Sequence, residues 1–301
     1  MNILGKTSFD FMGKRKIALV VSAILAIAGF MAILAVPLGK ANLGTDFAGG
    51  LVVNYRFEKP VRIEDARKAL EDGGYKDADL QEFAEPNKLL VRVKRGGDVK
   101  GVEKAIGDIF NASMPENPYT IDLISEVGPT VGKKLQKDAL YAIAISMLGI
   151  LIYVAWRFEF RFGVAAVIAT LHDVLAVFAV FFVLDKELNL LIITALLTVA
   201  GYSLTDTVVV FDRIRENLRK GAKDELMPLI NRSINEVLSR TLVTSGTTFL
   251  AVVALYVAGG EVIHDFSLAL LLGIVIGTYS SIFVASPLLF IWKKAGSLIK
   301  T

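Results

Sequence analysis

Six long runs that nearly exclude charge constrain this 301-residue chain more than any other feature. They lie at Ile17–Leu38, Ala139–Trp156, Phe162–Leu184, Leu190–Phe211, Thr241–Ala258 and Phe266–Trp292. A bilayer core about 30 Å thick takes roughly 20 apolar helical residues to cross. In lipid a backbone must satisfy its own hydrogen bonds, so each run reads as a transmembrane helix. The 54% hydrophobic content exceeds the soluble norm and is concentrated in these runs. The first run follows Lys14, Arg15 and Lys16, as a signal-peptide core would. It is longer than the roughly 7–15 residues of such a core and is expected to be retained.

The distribution of Lys and Arg orients the spans. The N-terminal cluster, Arg157, Arg161, the loop from Arg213 to Arg240, and Lys293, Lys294 and Lys300 fall on one side. The other side holds only Asp185-Lys186-Glu187 and Glu261 to Asp265. The basic side is expected to be cytoplasmic, with both termini inside and Trp156 and Trp292 as interfacial anchors. Before the first span, Phe9, Phe11 and Met12 stand beside the basic cluster. They read either as a short segment lying on the inner leaflet or as a plain basic flank.

The stretch 39–138 is the expected soluble domain, outside the cytoplasm. Leu51–Phe57 reads as a strand, and Ile63–Glu71 as a helix stopped by Gly73 and Gly74. Leu80–Ala84 and Lys88–Lys94 flank a turn at Pro86-Asn87; Val99–Phe110 is again helical, and Tyr119–Val127 is a last strand. The order β-α-β-β-α-β predicts a two-layer, α+β ferredoxin-like domain. The expected division is therefore a cytoplasmic segment 1–16, a first span 17–38, the soluble domain 39–138, five further spans over 139–292, and a cytoplasmic tail 293–301.

A charge at the centre of a span costs roughly 2.5–3.5 kcal/mol on insertion scales, so intramembrane ionisable residues are the first functional candidates. Three stand out: His172 and Asp173 in the third run and Asp206 in the fourth. Thr194, Thr198, Gly201, Tyr202 and Thr205 recur at helical spacing as a polar stripe beside Asp206, with Ser203 and Thr207 adjacent. A carboxyl in that setting can take up or release a proton as water and a cation approach, or it can simply snorkel to the helix end. Arg240 opens the fifth run with Thr244, Thr247 and Thr248 on one face. It is either a partner of Asp206 or a positive flank. His172 and Asp173 suit a proton relay or the packing of a polar pair into the bundle. Gly273 and Gly277 make a small-xxx-small spacing for close helix approach, within the bundle or against a partner.

Several chemistries are excluded. The chain has no cysteine and only two histidines, His172 and His264, so thiol catalysis, cysteine metal sites and histidine clusters are out of reach. A net charge of +3 gives no field for nucleic acid. There is no GxxxxGK[ST] loop, no HExxH and no GxSxG, so neither ATP hydrolysis nor another enzyme activity is expected, and no cofactor or metal is implied.

Five blocks in order carry a resemblance: Gly44–Gly50 (GTDFAGG), Gly128–Gly132 (GPTVG), Leu171–Val174 (LHDV), Ala195–Asn217 and Ser239–Thr248 (SRTLVTSGTT). Together with the soluble domain they resemble the SecF branch of the SecD/SecF family of the RND superfamily. The chain departs from it at Thr205, where the family commonly carries Asn. The SecD branch has a considerably longer soluble region. The resemblance implies a half-transporter of six spans in the bacterial inner membrane that pairs with SecD. It implies use of the proton motive force in export by the SecYEG translocon after the SecA ATPase, with YajC and YidC, the translocating polypeptide and membrane lipids as further partners. By position, Asp206 would be the proton-carrying carboxylate and Arg240 its cationic partner, with Asp173 and His172 as further coupling candidates and Thr198, Tyr202, Ser203, Thr205, Thr244 and Thr248 as a supporting polar stripe. The alternatives are half of an RND-type small-molecule or lipid exporter, and a non-transporting assembly factor.

Overall fold

The computed structural model describes residues 7–83, 85–94, 99–220 and 225–293. Ala84 and most of the expected tail, with Lys294 and Lys300, lie outside the described residues. Among those described, six helical segments are long and apolar enough to cross a membrane. They are α1 (Arg15–Ala35), α5 (Pro129–Arg157), α6 (Phe160–Val183), α7 (Leu190–Arg219), α8 (Leu226–Ala258) and the pair α9 (Glu261–Ser280) and α10 (Ser286–Lys293). A short helix α2 (Thr45–Ala48), helices α3 (Ile63–Asp72) and α4 (Val99–Ser113), and four strands belong to the region between α1 and α5.

Local chemistry explains where these helices depart from the apolar runs. The first helix stops at Ala35, short of Leu38, because Pro37 has no N–H to donate and Gly39 turns the chain at φ 68°. The second begins ten residues before its apolar run, with Pro129 in its first turn, where a missing donor costs nothing. The expected loop from Arg213 to Arg240 is instead mostly helix, because α7 and α8 continue past the apolar runs. Their extensions are laced together: Arg213 Nε to Glu236 Oε2 at 2.6 Å, Asn217 Nδ2 to the same carboxylate at 2.8 Å, and Asn217 Nδ2 to Ser233 Oγ at 2.9 Å. The sixth run is not one α-helix. A π-helical turn, Ser281–Ala285, separates α9 from α10. Pro287 follows it, and a helical proline has no N–H and crowds the carbonyl four residues back, which the wider turn relieves. Ser286 Oγ donates to Ser281 O at 2.9 Å across the turn.

The segment before α1 lies against protein. Asn231 and Asn235, one turn apart on α8, clamp it: Asn231 Oδ1 accepts from Phe11 N at 2.8 Å and Met12 N at 3.1 Å, and Asn235 Oδ1 accepts from Phe9 N at 2.9 Å. Met12 is fully buried in the core at the basic end of the bundle. Polar side chains on α8 thus hold the backbone of this segment, although Phe9 remains exposed.

The soluble domain is the expected one. Strands β1 (Gly50–Phe57), β2 (Asp79–Glu82), β3 (Lys88–Val93) and β4 (Tyr119–Val127) form an antiparallel sheet in the order β2-β3-β1-β4. Period-2 burial along β1 sends Leu51, Val53, Tyr55 and Phe57 inward against Leu70 of α3 and Ile106 and Phe110 of α4. Tyr55, Phe57, Phe110 and Tyr119 meet with ring centroids 5.1–6.4 Å apart, mostly edge to face. A bulge between Asn54 and Tyr55 shifts the β1–β4 register.

Two glycine-bearing blocks join this domain to the bundle. Asn42 O accepts from Leu188 N, and Leu188 O from Gly44 N, each at 2.8 Å, so the entry to the domain zips onto the α6–α7 connection. Asp46 Oδ2 takes the Leu190 N–H at the start of α7. At the exit, a Cβ on Gly132 would stand 2.6 Å from Phe47 O, so α5 lies directly on α2, and Gln136 Nε2 donates to the same carbonyl at 2.8 Å. A cleft of about 960 Å³ lies between domain and bundle. Burial there pushes the Glu187 carboxyl above its ordinary range, against the pull of Lys94.

Helix α1 lies directly on the backbone of α6. A Cβ on Gly29 would lie 2.1 Å from Leu175 O and 2.6 Å from its carbonyl carbon, and backbone cannot swing away. Gly29→Ala is expected to destabilise the purified chain by about 1–3 kcal/mol, the usual cost of overpacking. Gly149→Ala, at a position with open space around it, is expected to be silent. Thermal unfolding of both variants in detergent checks this.

Candidate functional site

Helix α7 carries the site. It is capped by Asn189, whose side chain accepts from Ile192 N. Its buried face packs on α9, where Gly273 and Gly277 leave room for Val199 and Ser203; a Cβ at Gly277 would meet Ser203 Cβ at 2.9 Å. The small-xxx-small spacing is therefore spent within the bundle.

Asp206 lies on this buried face, 4% exposed. Its Oδ2 accepts from Ser245 Oγ of α8 at 2.8 Å, and Thr278 Oγ1 of α9 stands 2.9 Å from Ser245 Oγ. One turn of α9 later, Ser281 Oγ receives the Thr207 hydroxyl at 3.3 Å. The carboxyl is thus caged by hydroxyls from two neighbouring helices, and among the described residues no cation is paired with it.

Arg240 does not make the expected pair. It is exposed on α8 and, among the described residues, has no hydrogen-bond or ion-pair partner. Helical geometry gives the reason: five residues place Arg240 about 140° around the helix from Ser245. Thr241 and Ser245 face the bundle, whereas Arg240, Thr244 and Thr247 face outward and Thr248 is half-buried. On α7 the stripe divides in the same way. Thr194, Thr198, Gly201 and Thr205 are exposed, Tyr202 is half-buried, and Ser203 is buried. Four of the exposed threonines return their hydroxyls to their own helices: Thr194 to Leu190 O, Thr198 to Thr194 O, Thr205 to Tyr202 O, and Thr247 to Thr244 O. Thr248 also donates to Thr244 O. Tyr202 Oη and Thr241 Oγ1 are buried without a hydrogen-bond partner among the described residues.

His172 and Asp173 form a second polar centre, inside α6, α7 and α9. Asp173 is wholly buried. Its Oδ1 stands 2.9 Å from His172 Nδ1, and its Oδ2 accepts from Ser203 Oγ and from Ser280 Oγ at 2.7 Å. With the carboxylate ionised, Nδ1 is the donor, which leaves His172 Nε2 buried with no partner among the described residues. Adjacent side chains on a helix diverge by about 100°, yet this pair is turned toward itself, with Asp173 also fastened to two other helices.

The family profile for "Protein export membrane protein SecD/SecF, C-terminal" matches residues 110–295, which contain both polar centres. The chain is 54% identical over 304 residues to the protein translocase subunit SecF of Thermodesulfovibrio yellowstonii, covering 100% of this chain and 99% of that one. The chain belongs to the SecD/SecF family. It is 44% identical to a protein translocase subunit SecF of Vibrio alginolyticus, over 93% of this chain and 89% of that one. The crystal structure of SecDF, a translocon-associated membrane protein from Thermus thermophilus, superposes with a TM-score of 0.79 at 38% identity. That match covers 96% of this chain but 39% of the SecDF chain, so this chain is similar to well under half of it. A second SecDF structure, in a super-membrane-facing form, superposes with a TM-score of 0.73 over 97% of this chain. The chain is accordingly a multi-pass membrane protein of a translocase-subunit family.

Within this SecD/SecF family chain, sequence reasoning missed Ser245, Thr278 and Ser280, the donors that hold the two carboxyls. The signal was present. Thr278, Ser280 and Ser281 cluster within four residues of the apolar sixth run, and Ser245 lies four residues after the buried Thr241. Asp173→Ala would strand His172 Nδ1 and Ser203 in the core, while Ser280 keeps Gly277 O as an acceptor. It is expected to cost about 2 kcal/mol or more, since each buried donor left without an acceptor costs about 1–3 kcal/mol. Thr198→Ala, on the exposed stripe, is expected to stay within about 0.5 kcal/mol. Equilibrium unfolding of the purified chain in mixed micelles compares the two.

Proposed function

We propose that this chain is the SecF-type half of a SecD-paired transporter in the cytoplasmic membrane, and that it uses the proton motive force to promote SecYEG- and SecA-dependent protein export. The observation that carries the reading is Asp206 itself: an intramembrane carboxyl held by the hydroxyl cage of Ser245 and Thr278, one residue from a polar stripe on the outside of the bundle. Hydroxyls can either donate to a carboxylate or accept from a carboxylic acid, so this cage serves both protonation states. A fixed cationic partner would favour the charged form alone.

The stripe supports a partner. Thr194, Thr198, Gly201 and Thr205 of α7 and Arg240, Thr244 and Thr247 of α8 face away from the chain at membrane depth. An arginine facing lipid is costly, and intramembrane charges face protein or water. A SecD subunit covering this face would enclose Arg240 and seal a polar path between the two halves. The soluble domain lies outside the cytoplasm in this reading, and the basic end of the bundle, with both termini, lies inside. A proton arriving at Asp206 alters its bonding to Ser245 and Thr278, and hence the packing of α8 and α9 on α7. The α6–α7 connection, zipped to the entry of the soluble domain, carries the change outward. The electrical part of the gradient supplies about 2.3 kcal/mol per charge per 100 mV, enough to rebalance two packings. His172 and Asp173 serve as a fixed polar anchor of α6, α7 and α9.

Gradient-stimulated export of a reporter into inverted vesicles containing SecYEG, SecD, this chain and added SecA tests the proposal. Asp206→Asn is expected to abolish the stimulation while SecD still co-purifies. Stimulation equal to wild type would overturn it and leave Asp206 as a packing residue.

A further inference from the structure

At the basic end of the bundle, a cleft of about 360 Å³ opens between the end of α5 and the extended part of α7. Arg157, Asp212, Arg215, Glu216, Arg219 and Lys220 line it. Its level is marked by aromatic side chains. Trp156, in the last turn of α5, is 83% exposed, and Phe160, at the start of α6, is 65% exposed. Exposed aromatics at the end of an apolar helix sit among lipid headgroups.

The charges in the cleft do not balance locally. Glu216 is taken by Arg213 at 2.6 Å and Lys220 at 2.7 Å. Asp212 reaches Arg157 only at 4.0 Å, with both side chains about half-exposed. Arg219 has no hydrogen-bond or ion-pair partner among the described residues. Arg215 gives one Nη1–H to the Arg157 carbonyl at 3.2 Å, which neutralises nothing. The guanidinium carbons of Arg157 and Arg215 lie 5.2 and 5.5 Å from the centre of one ring, that of Phe158. Phe158 is buried and therefore a fixed platform. Two like charges are thus held beside one ring, with a third on the next turn of α7 and one loose carboxylate among them. Guanidinium groups bind phosphate oxygens through paired N–H donors, and basic pockets between transmembrane helices at this level suit anionic headgroups.

We propose that this cleft binds the phosphodiester headgroup of an anionic phospholipid, its phosphate bridging Arg157 and Arg215 with Arg219 beside it and its acyl chains running along Trp156 and the outer face of α5. A free phosphate shares the headgroup's chemistry but has nothing to place on that apolar face. The site is independent of Asp206 and of proton coupling.

The test is lipid retention by the full-length chain. The chain is reconstituted with a mixture of phosphatidylglycerol and phosphatidylcholine, re-extracted in mild detergent, and examined by native mass spectrometry. Phosphatidylglycerol is expected to stay bound in preference to phosphatidylcholine and to raise the unfolding temperature saturably. Arg215→Gln with Arg219→Gln is expected to weaken retention roughly fivefold for each arginine removed, and Arg215→Lys with Arg219→Lys to keep most of it. Lys133→Gln with Lys134→Gln, an equal charge change at the opposite end of α5, is expected to change nothing. Circular dichroism without added lipid separates loss of the site from loss of fold in the glutamine variant, and the lysine pair retains the charge if that variant does not fold. Equal retention of both lipids, equal loss in the two charge-removed pairs, or the same stabilisation by inorganic phosphate alone would overturn the proposal.

Discussion

A carboxyl group inside an apolar helical bundle has to be met by hydrogen-bond donors, and the packing of this chain follows from meeting two of them. Asp173 is met by His172, Ser203 and Ser280, and Asp206 by Ser245, with Thr278 behind it. The hydroxyl donors come from α7, α8 and α9, so the same few hydroxyls tie these helices to one another and to α6. Small side chains then become necessary. Gly277 lets α9 approach Ser203, and Gly273 admits Val199, because hydroxyl hydrogen bonds span less than 3 Å. Both cages draw on one short stretch of α9, Thr278 to Ser281, immediately before and into the π-helical turn. A π-helical turn in a long helix often accompanies a functional site, and here it adjoins one residue from each carboxyl's cage, Thr278 and Ser280.

The two centres differ in what surrounds them. Asp173 is wholly buried, with a histidine as the adjoining group. Asp206 is one residue from Thr205 and the exposed stripe, and its cage is made of neutral hydroxyls. An enclosed and fully bonded carboxylate suits a fixed anchor. A carboxyl one residue from an exposed polar face, held by groups that both donate and accept, suits a change of protonation state. Arg240, turned outward from the bundle, belongs to that face.

Much of this was legible in the sequence. Alternation along Leu51–Phe57 and the β-α-β-β-α-β order gave the sheet and its helices, because period-2 and period-3.6 patterns are local. The apolar runs located all six spans, and the cost of buried charge pointed to Asp173 and Asp206. Non-local detail was hidden. The Asp206–Arg240 pair looked natural on a list of charges, but the rotation of α8 about its axis puts Ser245, not Arg240, against the carboxyl. The split of the sixth span depends on Pro287 acting through the backbone, which a hydropathy pattern does not register. The N-terminal segment, ambiguous by itself, is fixed by Asn231 and Asn235, more than 200 positions away.

The central claim is that Asp206 changes protonation state within its hydroxyl cage when the chain is assembled with its partner. Infrared difference spectroscopy of the SecD-paired chain in membranes, across a pH series, reads this directly. The account predicts a protonated-carboxyl band that changes with pH, is absent in Asp206→Asn, and shifts in frequency in Ser245→Ala as the cage loses a donor. A pH-dependent band that survives Asp206→Asn unchanged, or no such band in the wild type, would contradict it.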